Sequence, residues 1–506
     1  MLFHNQNSRL SLFLQHGYPA ISVLSGLLVA QIIATAQVYL SNMELQAGLK
    51  LINSAGYLTI PNQPVMDHLR EFGPAIYGGL FFTMSVGAGL SIPAFGASWV
   101  WIRIFSGNRW SLLLFVIPWF LSLVVMNIYG FSPFVSAYFL FVPPTVFRMA
   151  RKLMPSTRPE RPRSFRFIHL GWLILLGTLW TWQMDSNAFM AIRDHLLLSN
   201  TLGKKLNNFY YRYTFYPAEV LKPLNRKTLK TCFITQSVND DLNKALEKIL
   251  LDQDYLPMEN ITQVDLTLRK EGEEILLQQA MKTVMRTTVP DFLAMGSIRL
   301  KEFSRKTDRY VYFRKFLFFS MLTGLPGAVY LFLYLLVRSF ASIFLKPDRS
   351  GLIASFICFG AGAALLTVIT PQSHKKMDWE TVNEILESEN AQKRITALKN
   401  VLGKRKEISG YRAYEKLLKS PHTPDRYWLT KSLAFSRNPE TYEDLLVLLD
   451  DSSPNVVSMA YWALGLRGDG SAIPEILKRI PISDDWYNQW YAYNALRDLG
   501  WTQSKR

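Results

Sequence analysis

The sequence predicts a polytopic α-helical membrane protein of about seven spans, with an extramembrane α/β module inserted among them and an α-solenoid at the C-terminal end. Three observations predict it. Uncharged apolar runs of bilayer length recur through much of the 506-residue chain. The cations gather in alternate loops between those runs. The last quarter repeats itself at a period of roughly thirty residues, the length of a helical repeat.

Composition sets the frame. The chain is 49% hydrophobic and 19% charged. That excludes a disordered polyelectrolyte, and a charged share below the usual ~25% places part of the chain outside water. The balance of 56 Lys+Arg over 39 Asp+Glu, a formal +17, suggests either nucleic acid or a membrane protein with its cations on one side of the bilayer. Two cysteines, Cys232 and Cys358, build neither a disulfide framework nor a Cys-rich metal site.

Residues 1–184 read as a membrane domain of five spans, at 18–40, 72–102, 110–129, 131–147 and 167–184. The second is too short for two crossings and is expected to tilt or bend at Pro93. The third and fourth turn near Gly130, and the fourth carries Pro133, Pro143 and Pro144, so a re-entrant path there is the alternative, which flips the side of everything downstream. Residues 316–337 and 351–370 complete seven. Ala34 and Ala36 offer an A-x-A cleavage pattern behind the first run, but that run is long for a signal peptide and reads as a retained anchor.

The charges orient these spans. The loop after the fourth holds Arg148, Arg151, Lys152, Arg158, Arg161, Arg163 and Arg166 against Glu160 alone, which keeps it in the cytoplasm. Loops on its side, the N-terminus included, carry thirteen cations and two acids, a net of +11, whereas residues 41–71 have a net of −1. The N-terminus is therefore expected inside and the C-terminal domain outside the cytoplasm, in a bacterial inner membrane. The +17 becomes an orientation signal, and nucleic acid is not an expected partner.

Residues 185–315 hold twenty-one cations and sixteen acids, a normal balance for a folded water-facing module. Leu229 to Thr235 has strand composition, Asp240 to Leu251 is a capped amphipathic helix, and Val264 to Leu277 reads as a hairpin turned at Glu271, Gly272 and Glu273. The aromatic run from Phe209 to Tyr216 reads as a core strand or a headgroup belt in preference to a stacking site for a ligand.

From residue 378 to 506 short amphipathic helices alternate with breaks. Small-Leu pairs recur at Ala397-Leu398, Ser432-Leu433, Ala463-Leu464 and Ala495-Leu496, with offsets of 35, 31 and 32 residues. The segment Asp451 to Val457 leading into Ala460, Ala463, Leu464, Gly465 and Gly468-Asp469 resembles the HEAT-like repeats related to phycobilin-lyase repeat proteins. The resemblance implies a helical solenoid that contacts proteins. It does not imply lyase chemistry, because nothing here marks a bilin site.

In the final helix Ala492, Ala495, Leu496 and Leu499 share one arc, while Trp486, Trp490, Tyr493 and Arg497 cluster on a second. A terminal repeat has no following neighbour, so part of that second arc is expected to be exposed and to bind a partner; capping of the solenoid is the plainer alternative.

The seven spans contain no Asp, Glu, Lys or Arg, the groups that mark ion-coupled transport. Gly87 and Gly89 in the second span, and Ala354, Cys358 and Gly362 in the seventh, form close-packing helix faces. His16 and His169 near cytoplasmic span ends admit a bis-His haem only formally, and His68 and His195 lack a third metal ligand. No P-loop, G-x-S-x-G, H-E-x-x-H, C-x-x-C or EF-hand spacing occurs. The expectation is a non-enzymatic scaffold without cofactor or metal, held in membrane lipids and binding protein partners through its repeats. The alternatives are a transporter or channel subunit for a neutral or lipid-like substrate, and an enzyme at the outer interface using His68, His195 and the aromatic run.

Overall fold

The computed structural model describes residues 2–155, 164–183, 186–235, 240–259, 264–369 and 381–505. The chain forms two compact units. Met1–Tyr39, Ala75–Phe189 and Arg309–Thr370 make the first; Leu40–Pro74, Met190–Asp308 and Pro371–Arg506 make the second.

The first unit is helical. Among the described residues four helices, Gly17–Ser54, Phe72–Arg103, Val311–Ala341 and Arg349–Thr367, are long and apolar enough to cross a bilayer. Seven were expected, and the difference lies between residues 110 and 184. There the apolar helix Trp110–Met126 is short, and Pro133–Leu153 carries Arg151 and Lys152 in its last turn. Those two pair across Gly130, whose φ of +140° suits glycine, and Trp119 Nε1 donates to the Phe139 carbonyl at 2.8 Å. Ser164–Gln183 covers most of the fifth expected span. Arg158, Glu160, Arg161 and Arg163 of the cation-rich loop lie outside the described residues.

Helices approach closely where small residues stand. A Cβ on Gly87 would fall 2.7 Å from Ala30 Cβ, and one on Gly89 would fall 2.1 Å from Ser320 Oγ. Gly324 faces Gly89 in return: its Cβ would lie 2.6 Å from the Gly89 backbone. Ala354 and Cys358 are buried, and a Cβ on Gly362 would meet Leu176 at 2.7 Å. The second span keeps Pro93 inside Ala88–Arg103. Its irregular turn is the π-helical stretch Thr83–Gly87, where Thr83 Oγ1 donates to Gln31 Oε1 at 2.7 Å.

The second unit joins a sheet to a helical stack. Strands β1 (Lys230–Ile234), β2 (Tyr255–Pro257), β3 (Leu266–Glu271), β4 (Glu274–Gln279) and β5 (Lys282–Thr288) form one sheet in the order β2-β1-β3-β4-β5. β1 runs parallel to both its neighbours, and β3, β4 and β5 form an antiparallel meander. Helix Asp240–Asp252 covers the sheet with Leu242, Leu246 and Leu250, and Phe292, Leu300 and Phe303 of helix Val289–Lys306 join the same core.

Four helix pairs follow among the described residues: Val382–Glu387 with Ala391–Gly403, Tyr414–Leu418 with Thr423–Leu433, Glu440–Leu448 with Pro454–Arg467, and Ala472–Arg479 with Trp486–Asp498. The small-Leu pairs are buried in all four second helices, at the stacking seam. The seam is tight enough that a Cβ on Gly465 would lie 2.9 Å from Ala495 Cα. A ladder of arginines runs along the stack. Arg394 donates twice to Asp425 at 2.6 and 2.9 Å and to the Ser388 carbonyl at 2.7 Å; Arg426 repeats this on Asp451 and the Ser420 carbonyl.

Residues 41–71, read from the sequence as a short loop, instead belong to this unit. Helix Leu2–Ser54 continues past Leu40, and Ile52, Tyr57, Leu58 and Ile60 share one hydrophobic core with the helix pairs. Gln503 brackets Leu58, accepting from its N–H at 3.1 Å and donating to its carbonyl at 2.8 Å, while Gln489 accepts from the Asn62 N–H at 2.7 Å.

Candidate functional site

The four residues expected on an open end of the solenoid have neighbours from their own chain. Trp486 is 4% exposed and stacks on Phe215 with ring centroids 5.2 Å apart, and Trp490 packs on the same ring at 6.0 Å. Tyr493 is 1% exposed and donates to Asp254, and Arg497 reaches Asp254 at 3.3 Å and the Asp252 carbonyl at 2.8 Å. Trp486 and Tyr493 of the arc are therefore covered by the chain's own residues, while Trp490 and Arg497 stay half-buried. Its aromatic run is helical, within Thr201–Leu221: the Asn200 side chain caps that helix on the Gly203 N–H, and Phe215 and Tyr216 turn toward the last repeat helix.

A second cluster lies on the second helices of the first three pairs. The stretch Arg193–Leu197 is π-helical and brings Asp194 against them with its carboxylate fully buried. Arg193 donates to Asp194 Oδ1 at 2.6 and 3.0 Å; Lys399 Nζ and Trp428 Nε1 each reach Oδ2 at 2.9 Å. Aromatic faces hold the cations: the Arg193 guanidinium sits 3.9 Å above the Tyr427 ring, and Lys399 Nζ lies 4.7 Å from the Trp428 ring. Lys431 Nζ lies 5.2 Å from Trp428 and 5.1 Å from Trp462.

Electrostatics follow from this geometry. Burial pushes the Asp194 carboxyl up, but Arg193 and Lys399 outweigh it and hold the group below the ordinary aspartate value. Burial lowers the Lys431 ammonium, and the neighbouring Arg193 lowers it further. Burial likewise lowers His195, against the pull of Asp194.

Further along the repeats a polar cavity of about 300 Å³ is lined by Tyr411, Arg412, Tyr414, Glu415, Glu440 and Asp444 with Ser409, Asn438 and Thr441. Tyr414 closes one side by donating to Asp444.

Residues 412–497 match the HEAT repeats family. The C-terminal part of the chain thus carries HEAT repeats, and both clusters lie on or against them. No curated protein and no solved structure matches the chain.

The remaining sequence candidates are scattered. His68 pairs with Glu71 at 2.8 Å, away from His195 in the chain. The side chains of His16 and His169 lie outside the described residues. Among the described residues, no group of three or more His, Cys, Asp or Glu is placed to hold a metal ion. Sequence reasoning missed Arg193, Lys399, Tyr427, Trp428 and Lys431. Lys399 and Lys431 stand one repeat apart, the signal that was available for them.

Proposed function

We propose that this chain is a non-enzymatic membrane scaffold, anchored by its apolar helices and binding partner proteins through its HEAT repeats outside the cytoplasm. One observation carries the reading: the repeats form a stacked array whose helices present a cation–aromatic cluster, and Trp, Tyr and Arg are the residues that dominate protein-binding hot spots. Trp486 and Tyr493 of the terminal arc are occupied within the chain, so the partner surface of this proposal is the half-buried Lys431–Trp462 edge of the second cluster, with Trp428 buried behind it.

Affinity purification of the full chain from native membranes in mild detergent tests it. Stoichiometric partners are expected, and they are expected to be lost in Trp462→Ala and Lys431→Glu; reproducible recovery of the chain alone overturns the reading. The sidedness belongs to the same proposal and is motivated by the +11 bias of one set of loops. A reporter active only outside the cytoplasm, fused after Arg506, is expected to be active. An inactive fusion there, with an active one after Met184, places the repeats on the other side.

A further inference from the structure

Three cations meet one carboxylate at the Asp194 cluster, an excess of two positive charges. Arg193 and Lys399 share Asp194 as an ion-pair partner. Lys431 does not: among the described residues no carboxylate stands within ion-pair distance of it, and the acid whose field reaches it is the same Asp194, already held by Arg193, Lys399 and Trp428. A cation kept half-buried beside two others is unfavourable in the empty state and becomes favourable when an anion arrives.

The surroundings say which anion. Asp194 already displays the ligand this cluster accepts, a carboxylate taking hydrogen bonds from a guanidinium, an ammonium and an indole N–H. Trp428, buried, and Trp462, half-buried, flank the Lys431 ammonium, so a ligand reaching it meets the accessible part of the Trp462 ring, which suits an apolar residue of a peptide. We propose that Lys431, backed by Lys399 and Arg193 and walled by Trp428 and Trp462, binds an Asp or Glu carboxylate on an acidic segment of a partner protein. That the carboxylate comes from a protein rests on the scaffold reading; that the site takes a carboxylate rests on the cluster itself.

The test uses the full chain in a neutral detergent and a fluorescently labelled peptide of alternating Glu and Leu, with a Gln-for-Glu peptide as its neutral twin. The Glu peptide is expected to bind at least ~tenfold more tightly than the Gln peptide, and Lys431→Met to weaken it by at least ~tenfold while Lys431→Arg retains it. Equal binding of the two peptides overturns the proposal on the unaltered protein, whatever the variant's folding. Undiminished Glu-peptide binding by Lys431→Met overturns it as well. Stoichiometric partners recovered by a chain that ignores the Glu peptide remove the carboxylate site and leave the scaffold standing. Lys431-dependent peptide binding with no partner recovered does the reverse.

Discussion

Tyr493, in the last repeat helix, donates its hydroxyl to the Asp254 carboxylate at 2.5 Å, joining the end of the HEAT stack to the strand side of the same unit. Burial raises the Asp254 carboxyl, while the Tyr493 hydroxyl and Arg497 pull it back down. Tyr493→Phe leaves the carboxylate with Arg497 and the field of Lys230, and is expected to destabilise the unit by about 1–3 kcal/mol at neutral pH, read as thermal unfolding in detergent. The lost bond favoured the charged form, so the penalty shrinks as acid protonates Asp254. A penalty independent of pH would assign the effect to packing around the ring.

Asp254 stays above its ordinary value, whereas Glu407 is shifted the other way. Burial pushes its carboxyl up, but the Ser436 hydroxyl, the Arg437 N–H, and the Ser409 N–H and hydroxyl hold it at about 2. A depressed folded value means stability that is fully present above the ordinary glutamate value of 4.5 and is lost as pH falls toward about 2. Because the residue is exposed, screening limits the contribution to on the order of 1 kcal/mol. Glu407→Gln is expected to flatten the acid limb of the stability profile in that window while leaving the profile above pH 5 parallel to that of the unaltered chain.

Gly324 and Gly89 test the helix packing of the membrane unit. A Cβ on Gly324 meets backbone, which has no rotamer to yield, so Gly324→Ala is expected to lower stability in detergent by about 1–3 kcal/mol. Gly96 lies in the same helix as Gly89 with open space where its Cβ would stand, and Gly96→Ala is the control that leaves stability unchanged or slightly raised. Equal effects at both positions would show that helix propensity, not the close approach, sets the result.

The turn between β4 and β5 holds Ala280 and Met281 at φ of +46° and +64°, a left-handed pair that most side chains resist. Met281 is 79% exposed and contributes little packing to offset the strain. Ala280→Asn with Met281→Gly is expected to stabilise the sheet by roughly 1 kcal/mol, measured by urea unfolding of the full chain. A loss of stability would mean that this turn makes contacts its exposure does not suggest.

What the sequence made legible was local. Strand β1, helix Asp240–Asp252 and the turn at Gly272 are written in short-range patterns, and the small-Leu pairs fall on the stacking seam because small residues are needed wherever two helices touch. Gly89 was readable for the same reason; its partner Gly324 was not, since a crossing point depends on the second helix. Two of the errors were about long-range neighbours. Residues 41–71 looked like a loop until Gln489 and Gln503, more than four hundred residues away, paired with their backbone. The terminal Trp–Tyr arc looked open because a single sequence cannot show that Phe215 arrives to cover it.

Asp194 and Lys431 separate stability from function within one cluster. The Asp194 carboxyl is buried and held below its ordinary value, so it stabilises at neutral pH and loses that contribution as pH falls through its folded value. Asp194→Asn keeps an acceptor for Trp428 but leaves three cations uncompensated, and is expected to destabilise by about 3 kcal/mol in thermal unfolding, with added sulfate restoring part of the loss. Lys399→Met removes one of the partners of Asp194 and also destabilises, by less because Lys399 is partly solvated. Lys431→Met removes a cation that has aromatic neighbours but no carboxylate partner, and is expected to leave stability unchanged or raise it by a few tenths of a kcal/mol. If Lys431→Met instead destabilises as much as Asp194→Asn, Lys431 is part of the fold, and its charge is not held in reserve for a ligand.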